Sequence, residues 1–313
     1  MSAFSRLWYR APLWRLCLYL IVPFVALTFV FPPAYLTRRL PRMAQIATAI
    51  HHRLGMQDTP ADADQAGGGN PGDGVVTMMP MTDRLTKAIP FAGRILPLPA
   101  GVWHPIINVI EGPHGEVLEN VLVRVQGHIV TGLIVASGTT QPVSAAANPA
   151  MDMECHDDRN YMSHIGASHP PVTECWLTRL VDPASISHMN VIASRLKEEG
   201  IVLPPVLLRA NWINTTPAAD DSLNAETVTI YLNPVNANET KILRSPDFWT
   251  KEALAQQPAA NDFVKRMNTW MAGWAPVLHD GFNSDMLASS EEQRARLSLD
   301  PAAPRPGEAN PLD

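Results

Sequence analysis

Between Asp152 and His169 the chain reads DMECHDDRNYMSHIGASH, its densest run of side chains able to ligate a metal or move a proton. Asp152, His156, Asp157, His164 and His169 offer carboxylate and imidazole, the usual ligands of zinc and non-haem iron, so metal-assisted hydrolysis is the chemistry to test there. The spacing matches no ligand motif. HExxH sets two histidines four apart on one helical face, whereas His156 and His164 are eight apart. A solvated loop accounts for the same composition, because loops collect turn-forming and polar residues for physical reasons alone. Nucleophilic catalysis is no better marked. Gly166-Ala167-Ser168-His169-Pro170 carries half of a GxSxG elbow, without the second glycine or a preceding strand. There is no CxxC or CxxCH, and the glycines of 67–74 lead into no Gly-Lys-Ser/Thr phosphate loop. No cofactor is expected.

Two cysteines flank that run. Cys155 and Cys175 lie 20 positions apart in a polar, proline-rich stretch. A bridge between them would stabilise the fold by about 3 kcal/mol through the chain entropy it removes. Disulfides persist outside the cytosol, so such a pair favours an exported domain. Unpaired thiols, one beside Trp176 in the core, are the alternative, because sequence does not show geometry.

The elements that must position these residues begin with a charge-free run, Leu16 to Thr37, bracketed by Arg10, Arg15, Arg38 and Arg39. It holds 22 residues, and a helix needs roughly 20 to cross a bilayer. A cleavable secretory signal competes with this reading. Pro32, Pro33, Tyr35 and Arg38 occupy the positions where a peptidase needs small residues, which favours an uncleaved anchor. Arginines flank both ends, so charge alone does not orient the span. The cysteine pair does, placing residues 1–15 in the cytoplasm and the body in the periplasm or its equivalent, on a single-pass inner-membrane protein.

Residues 1–53 hold seven arginines and no acid, which leaves 17 basic against 30 acidic residues in the remainder, a net of −13. A basic stem suits the surface of an anionic bilayer. An acidic body lacks the positive footprint that phosphate binding requires, so nucleic acid is not an expected partner. Ordinary solubility explains the acidity without any partner.

After the span, 38–56 reads as a basic juxtamembrane amphipathic segment. Residues 57–88 read as a flexible linker, being too rich in Gly, Pro, Asp and Ala to bury a core. The folded body is expected over 89–283, and 284–313 as a disordered tail. Within the body, β-branched and apolar composition predicts strands at 101–111 and 128–136, and period-2 alternation predicts strands at 117–125, 205–213 and 226–232. Asp182-Pro183 predicts a helix start and Gly200 its end. Ser245-Pro246 opens a second helix. Phe263, Met267, Trp270 and Trp274 share one face of a third, which Pro276 is expected to terminate. Strands first and helices later predict an α+β domain, an antiparallel sheet covered by helices on one face. Trp103, Trp176, Trp212, Trp249, Trp270 and Trp274 are expected in the core rather than in an open groove.

The order LPAGVW (98–103), VLVRVQGHIVTGLIVAS (121–137), ECHDDRNYMSHI (154–165) and ECW (174–176), followed by NWINTT (211–216) and WMAGWAPVLHDGF (270–282), resembles bacterial exported or single-span membrane proteins with no assigned activity. The likeness covers about 95–283 and implies no reaction. The expected function is therefore a membrane-anchored extracytoplasmic accessory or interaction module, held to the lipid bilayer by its first helix and working with other envelope proteins. Two alternatives stand beside it. One is a metal-dependent envelope hydrolase using the 152–169 cluster, and the other is a ligand-binding domain with a tryptophan-lined pocket.

Overall fold

The computed structural model describes residues 74–112, 114–234, 246–283 and 299–303. All of them belong to the compact unit Gly69–Asp313. The expected span at 16–37, the segment 38–56 and the linker as far as residue 73 lie outside them. No helix among the described residues is long and apolar enough to cross a membrane.

Eleven strands form here: β1 (Val75–Met78), β2 (Ala88–Phe91), β3 (Arg94–Pro97), β4 (His104–Glu111), β5 (Val117–Gln126), β6 (Ile129–Thr139), β7 (Val143–Ser144), β8 (Met162–His169), β9 (Val172–Val181), β10 (Leu207–Pro217) and β11 (Ser222–Leu232). Nine make one sheet in the order β1-β4-β5-β6-β11-β10-β9-β8, with β7 also pairing β11. Every strand pair is antiparallel. The remaining two, β2 and β3, form a separate hairpin. Its turn residues Ala92 and Gly93 both have positive φ, the backbone that a two-residue turn needs to match the strand twist. The helices are α1 (Asn148–Cys155), α2 (Met189–Glu198), the single turn α3 (Lys251–Leu254) and α4 (Pro258–Phe282).

Alternation along the strands sorts the core into two layers. Leu122, Ile134, Trp176, Leu208, Trp212, Val228 and Ile230 share one face with Phe263, Met267, Trp270 and Trp274 of α4. Val121, Val123, Leu133, Leu207 and Tyr231 point the other way, onto Met189, Ile192 and Leu196 of α2. Cys155 of α1 packs on that second face with Cys175, Leu177 and Ile213. The large antiparallel sheet with a few helices is as expected, but helices cover both faces rather than one. The reason is in β5 and β6, whose buried residues run almost without interruption. A strand that is apolar on both sides needs a cover on both sides.

Other boundaries also move. The expected linker 57–88 contains β1, the buried Met81 and a bridge from Leu85 to Trp103, so its last part belongs to the sheet. Asp182 caps only the 3-10 turn Pro183–Ser185, and α2 starts later, after His188 at φ 53. Pro276 does not end α4, which runs on to Phe282. A proline inside a helix costs about 3 kcal/mol. Burial of Val277, Leu278 and Phe282 beyond it offsets that cost.

Residues 299–303, expected in the disordered tail, close a clasp. Asp300 takes the Arg124 guanidinium through two bonds, Nη1–H to Oδ2 at 2.7 Å and Nη2–H to Oδ1 at 2.8 Å. Arg124 also donates to the Ala100 carbonyl at 2.8 Å and to Thr131 Oγ1 at 3.1 Å, and lies 4.8 Å from the centre of the Trp103 ring. Both charged side chains are buried, 1% and 0% exposed. Gly132 makes room for this stack, since a Cβ there would sit 2.8 Å from Trp103. Asp300→Ala leaves a buried guanidinium unpaired and is expected to destabilise the full chain by about 3–5 kcal/mol. Urea unfolding followed by tryptophan fluorescence measures it, and a loss under about 1 kcal/mol would mean that water replaces the carboxylate.

Candidate functional site

The expected metal ligands separate across the sheet. The stretch read as a loop is the C-terminal part of α1 followed by β8, an exposed edge strand. His164 lies opposite Trp176 and His169 opposite Val172, on the α4 face. Asp152, His156 and Asp157 belong to α1 and the turn after it, on the other face. Among the described residues no group of three or more His, Cys, Asp or Glu is placed to hold a metal ion.

On the α1 face those residues form a clamp. Cys155 and Cys175 are joined in a disulfide, with Cα atoms 6.1 Å apart. Asp152 Oδ1 accepts from Ser168 Oγ at 2.8 Å, and His156 Nδ1–H donates to the Asp152 carbonyl at 3.0 Å. Glu154 accepts from Arg209 at 2.7 Å and Asn211 at 3.3 Å. Asp157 takes Arg159 at 2.6 Å and Arg179 at 3.0 Å, and these guanidiniums, Arg159 foremost, hold its carboxyl well below the usual range. Asp152, Glu154 and Asp157 are thus engaged in fixing α1 and its turn to β8, β9 and β10.

The opposite face has a cleft of about 490 Å³ between α4 and the β8–β10 end of the sheet. Its floor is set by register. Trp176 lies beside Trp212 and Glu174 beside Asn214, and Asn214 lies beside Glu226. Its roof is the stretch of α4 carrying Ala272, Ala275, Pro276, His279 and Asp280. The alanines are short, so the helix stands off the two indoles instead of filling the space between. His164 stacks on Trp176 with ring centres 5.7 Å apart. His279 Nδ1–H donates to Glu174 Oε1 at 2.8 Å, which fixes the ring and leaves Nε2 without a bond to the described residues. Trp176 and Trp212 are buried, as expected for core, yet both also line the cleft.

Behind the cleft the polar row continues into the core. Asn214 and Glu226 are 3% and 1% exposed. Neither Asn214 Nδ2 nor either Glu226 oxygen has a hydrogen-bond partner among the described residues, and the same holds for Trp212 Nε1. Arg94 Nη1 is 3.7 Å from Glu226, too far for a good bond. Burial pushes the Glu226 carboxyl up to about 7 against the pull of Arg94. The burial of Asn214 removes it as a glycosylation acceptor in the folded domain, although Asn214-Thr215-Thr216 has the pattern.

Glu174, His279 and Asp280 escape a reading of sequence alone because 105 positions separate Glu174 from His279 and no motif spans such a gap. One local signal exists. Ala272, Pro276, His279 and Asp280 recur at helical spacing beside the apolar stripe of α4.

Comparison of the chain with protein-family models, with curated proteins and with solved structures finds no match. The site is therefore interpreted on its own chemistry.

Raised groups set an expected pH dependence, Glu226, His188 and Glu119 among them, the last pushed up by its burial. Glu226 has a folded pKa above its unfolded value, so its contribution is complete below about 4.3 and is lost as pH rises through 7. His188 is also raised, chiefly by the Glu111 carboxylate, whose nearer oxygen lies 3.7 Å from its Nε2. Its contribution is present below about 6.5 and is lost above that. Stability should fall between pH 5 and pH 8, with about 2–3 kcal/mol of the fall due to Glu226. Chemical denaturation of Glu226→Gln across that range should give a visibly flatter profile, and a slope equal to wild type would contradict the assignment.

Proposed function

We propose that residues 74–303 act as a binding module for a small ligand, exported and held at a membrane by residues 16–37, and that the cleft under α4 is where the ligand sits. The observation that carries this reading is the cleft itself: two indoles at its floor, with Glu174, His164, His279 and Asp280 converging on one concavity. Ligand sites are typically concave, mostly apolar and furnished with a few placed polar groups. The Cys155–Cys175 bridge supports an oxidising compartment, and the apolar run 16–37 supports the anchor. In this reading the ligand is the signal or cargo that an envelope assembly collects from the module. The clamp on the far face accounts for the acids that a metal-dependent hydrolase would need, which is why binding is preferred to hydrolysis.

Ligand binding should be lost in Trp176→Ala while the fold persists. A thermal-shift screen of the detergent-solubilised full chain against small organic molecules is the direct measurement. A binder whose effect survives Trp176→Ala unchanged would place the site elsewhere. The compartment is tested separately. Thiol labelling of intact cells before and after reduction should expose Cys155 and Cys175 only after reduction, with loss of the bridge costing about 3 kcal/mol in unfolding. Free thiols in the native protein would remove the argument for export.

A further inference from the structure

We infer that the cleft is built for an organic ammonium ion, a proposal that rests on reading the cleft as the binding site and adds the charge and class of its ligand. Glu174 and Asp280 supply it with two carboxylates, which no basic side chain of lysine or arginine lining the cavity offsets. Glu174 shares one oxygen with His279. Asp280 has no ion-pair partner among the described residues. An anionic ligand would meet like charge with no cation to offset it.

The helix above adds to the same field. Asp280 lies in the last turn of α4, which ends at Phe282, and the C-terminal end of a helix carries about half a negative charge. Pro276 contributes an acceptor as well. It has no N–H, so the Ala272 carbonyl one turn earlier lacks its intrahelical donor. Ala272 and Pro276 both line the cavity, which puts the interrupted stretch of helix in its wall. That carbonyl faces the cavity without its helical donor, and an ammonium group brings donors.

The floor is aromatic. Indole faces attract cations more strongly than phenyl faces do, and carboxylates beside them reinforce the preference. A neutral sugar would also stack on Trp176 and Trp212, but it would leave the two carboxylates and the helix end uncompensated. The net charge of −13 over residues 54–313 draws cations toward the domain from a distance. Five features of different origin therefore favour the same sign: indole floor, two acids, helix end, freed carbonyl and overall field.

The test uses the full chain in an uncharged maltoside detergent and two matched pairs of probes. Choline is compared with 3,3-dimethylbutan-1-ol, its neutral isostere, and butylammonium with butan-1-ol, by isothermal titration. At least one cation is expected to bind at least about tenfold more tightly than its neutral partner, the ratio that one desolvated cation–aromatic contact or ion pair supports. Glu174→Gln combined with Asp280→Asn should lower the cation's affinity by about tenfold or more and leave the neutral partner's unchanged. The unchanged neutral partner doubles as the check that the variant is folded. Equal affinities within both pairs would overturn the proposal, as would the absence of saturable binding by either cation up to about 10 mM. Should the neutral probes, or glucose added as a further control, bind in a manner that Trp176→Ala abolishes, the ammonium class fails while the binding module stands. If neither cations nor neutral probes respond to Trp176→Ala, both readings fail together.

Discussion

The register between β9 and β10 is the constraint from which the rest of the site follows. It sets Trp176 beside Trp212 and Glu174 beside Asn214, and through β11 it extends the polar row to Glu226. A slip of one residue in β9 would turn Trp176 and Glu174 to the α1 face and bring Cys175 and Leu177 under α4, exchanging the floor of the cleft for the residues that seat the clamp. Three devices hold the register. The cystine ties β9 to α1, Asn148 of α1 donates to Thr173 and Thr215 on neighbouring strands, and Thr178 donates to Asn268 of α4 from the opposite side. Strand β9 is thus fixed from both faces, which suits the strand that carries the site.

The two faces divide the polar residues between structure and opportunity. On the α1 side Asp152, Glu154 and Asp157 each meet a base or a hydroxyl, and the ion pairs of Glu154 with Arg209 and Asp157 with Arg179 bridge the α1 region to the sheet. Partly exposed pairs of this kind contribute little individually. Their effect is positional, since each bonds a residue of α1 or its turn to a named strand position. On the α4 side Asp280 has no base among the described residues, and Asn214 Nδ2 and both Glu226 oxygens have no hydrogen-bond partner there. Unsatisfied polar groups in a native core are few and each calls for an explanation, such as bound water, an ion or a ligand.

How much of this was legible in the sequence depended on how far each feature reaches along the chain. Strands β5, β10 and β11 announce themselves by alternation, and the apolar stripe of α4 by its tryptophans, because those signals repeat every two or every three to four residues. Strand β8 does not. It is an exposed edge with no buried face to impose alternation, so MSHIGASH reads as loop. The apolar run of β6 is itself the signal for cover on both faces, since its buried residues continue almost unbroken. The clasp of Arg124 with Asp300 and the pair of Glu174 with His279 cross 176 and 105 positions. Only tertiary structure brings such residues together, and the conspicuous His/Asp run between the cysteines drew the metal hypothesis toward the wrong side of the sheet.

The choice of residues along α4 bears on whether the cleft is a packing defect or a retained feature. Ala272 and Ala275 face two of the largest side chains in the domain. Leucine at either position would bury more apolar surface against the indoles, worth about 1–2 kcal/mol each. A continuous helix without Pro276 would recover about 3 kcal/mol more. The helix instead keeps small residues and an interrupted hydrogen-bond ladder on the side that faces the cavity, while Met267, Trp270, Trp274, Leu278 and Phe282 on its adjoining side are buried. Stability withheld on one side of a helix, with dense packing on the other, is the pattern expected where space and acceptors are kept for a ligand rather than lost by chance.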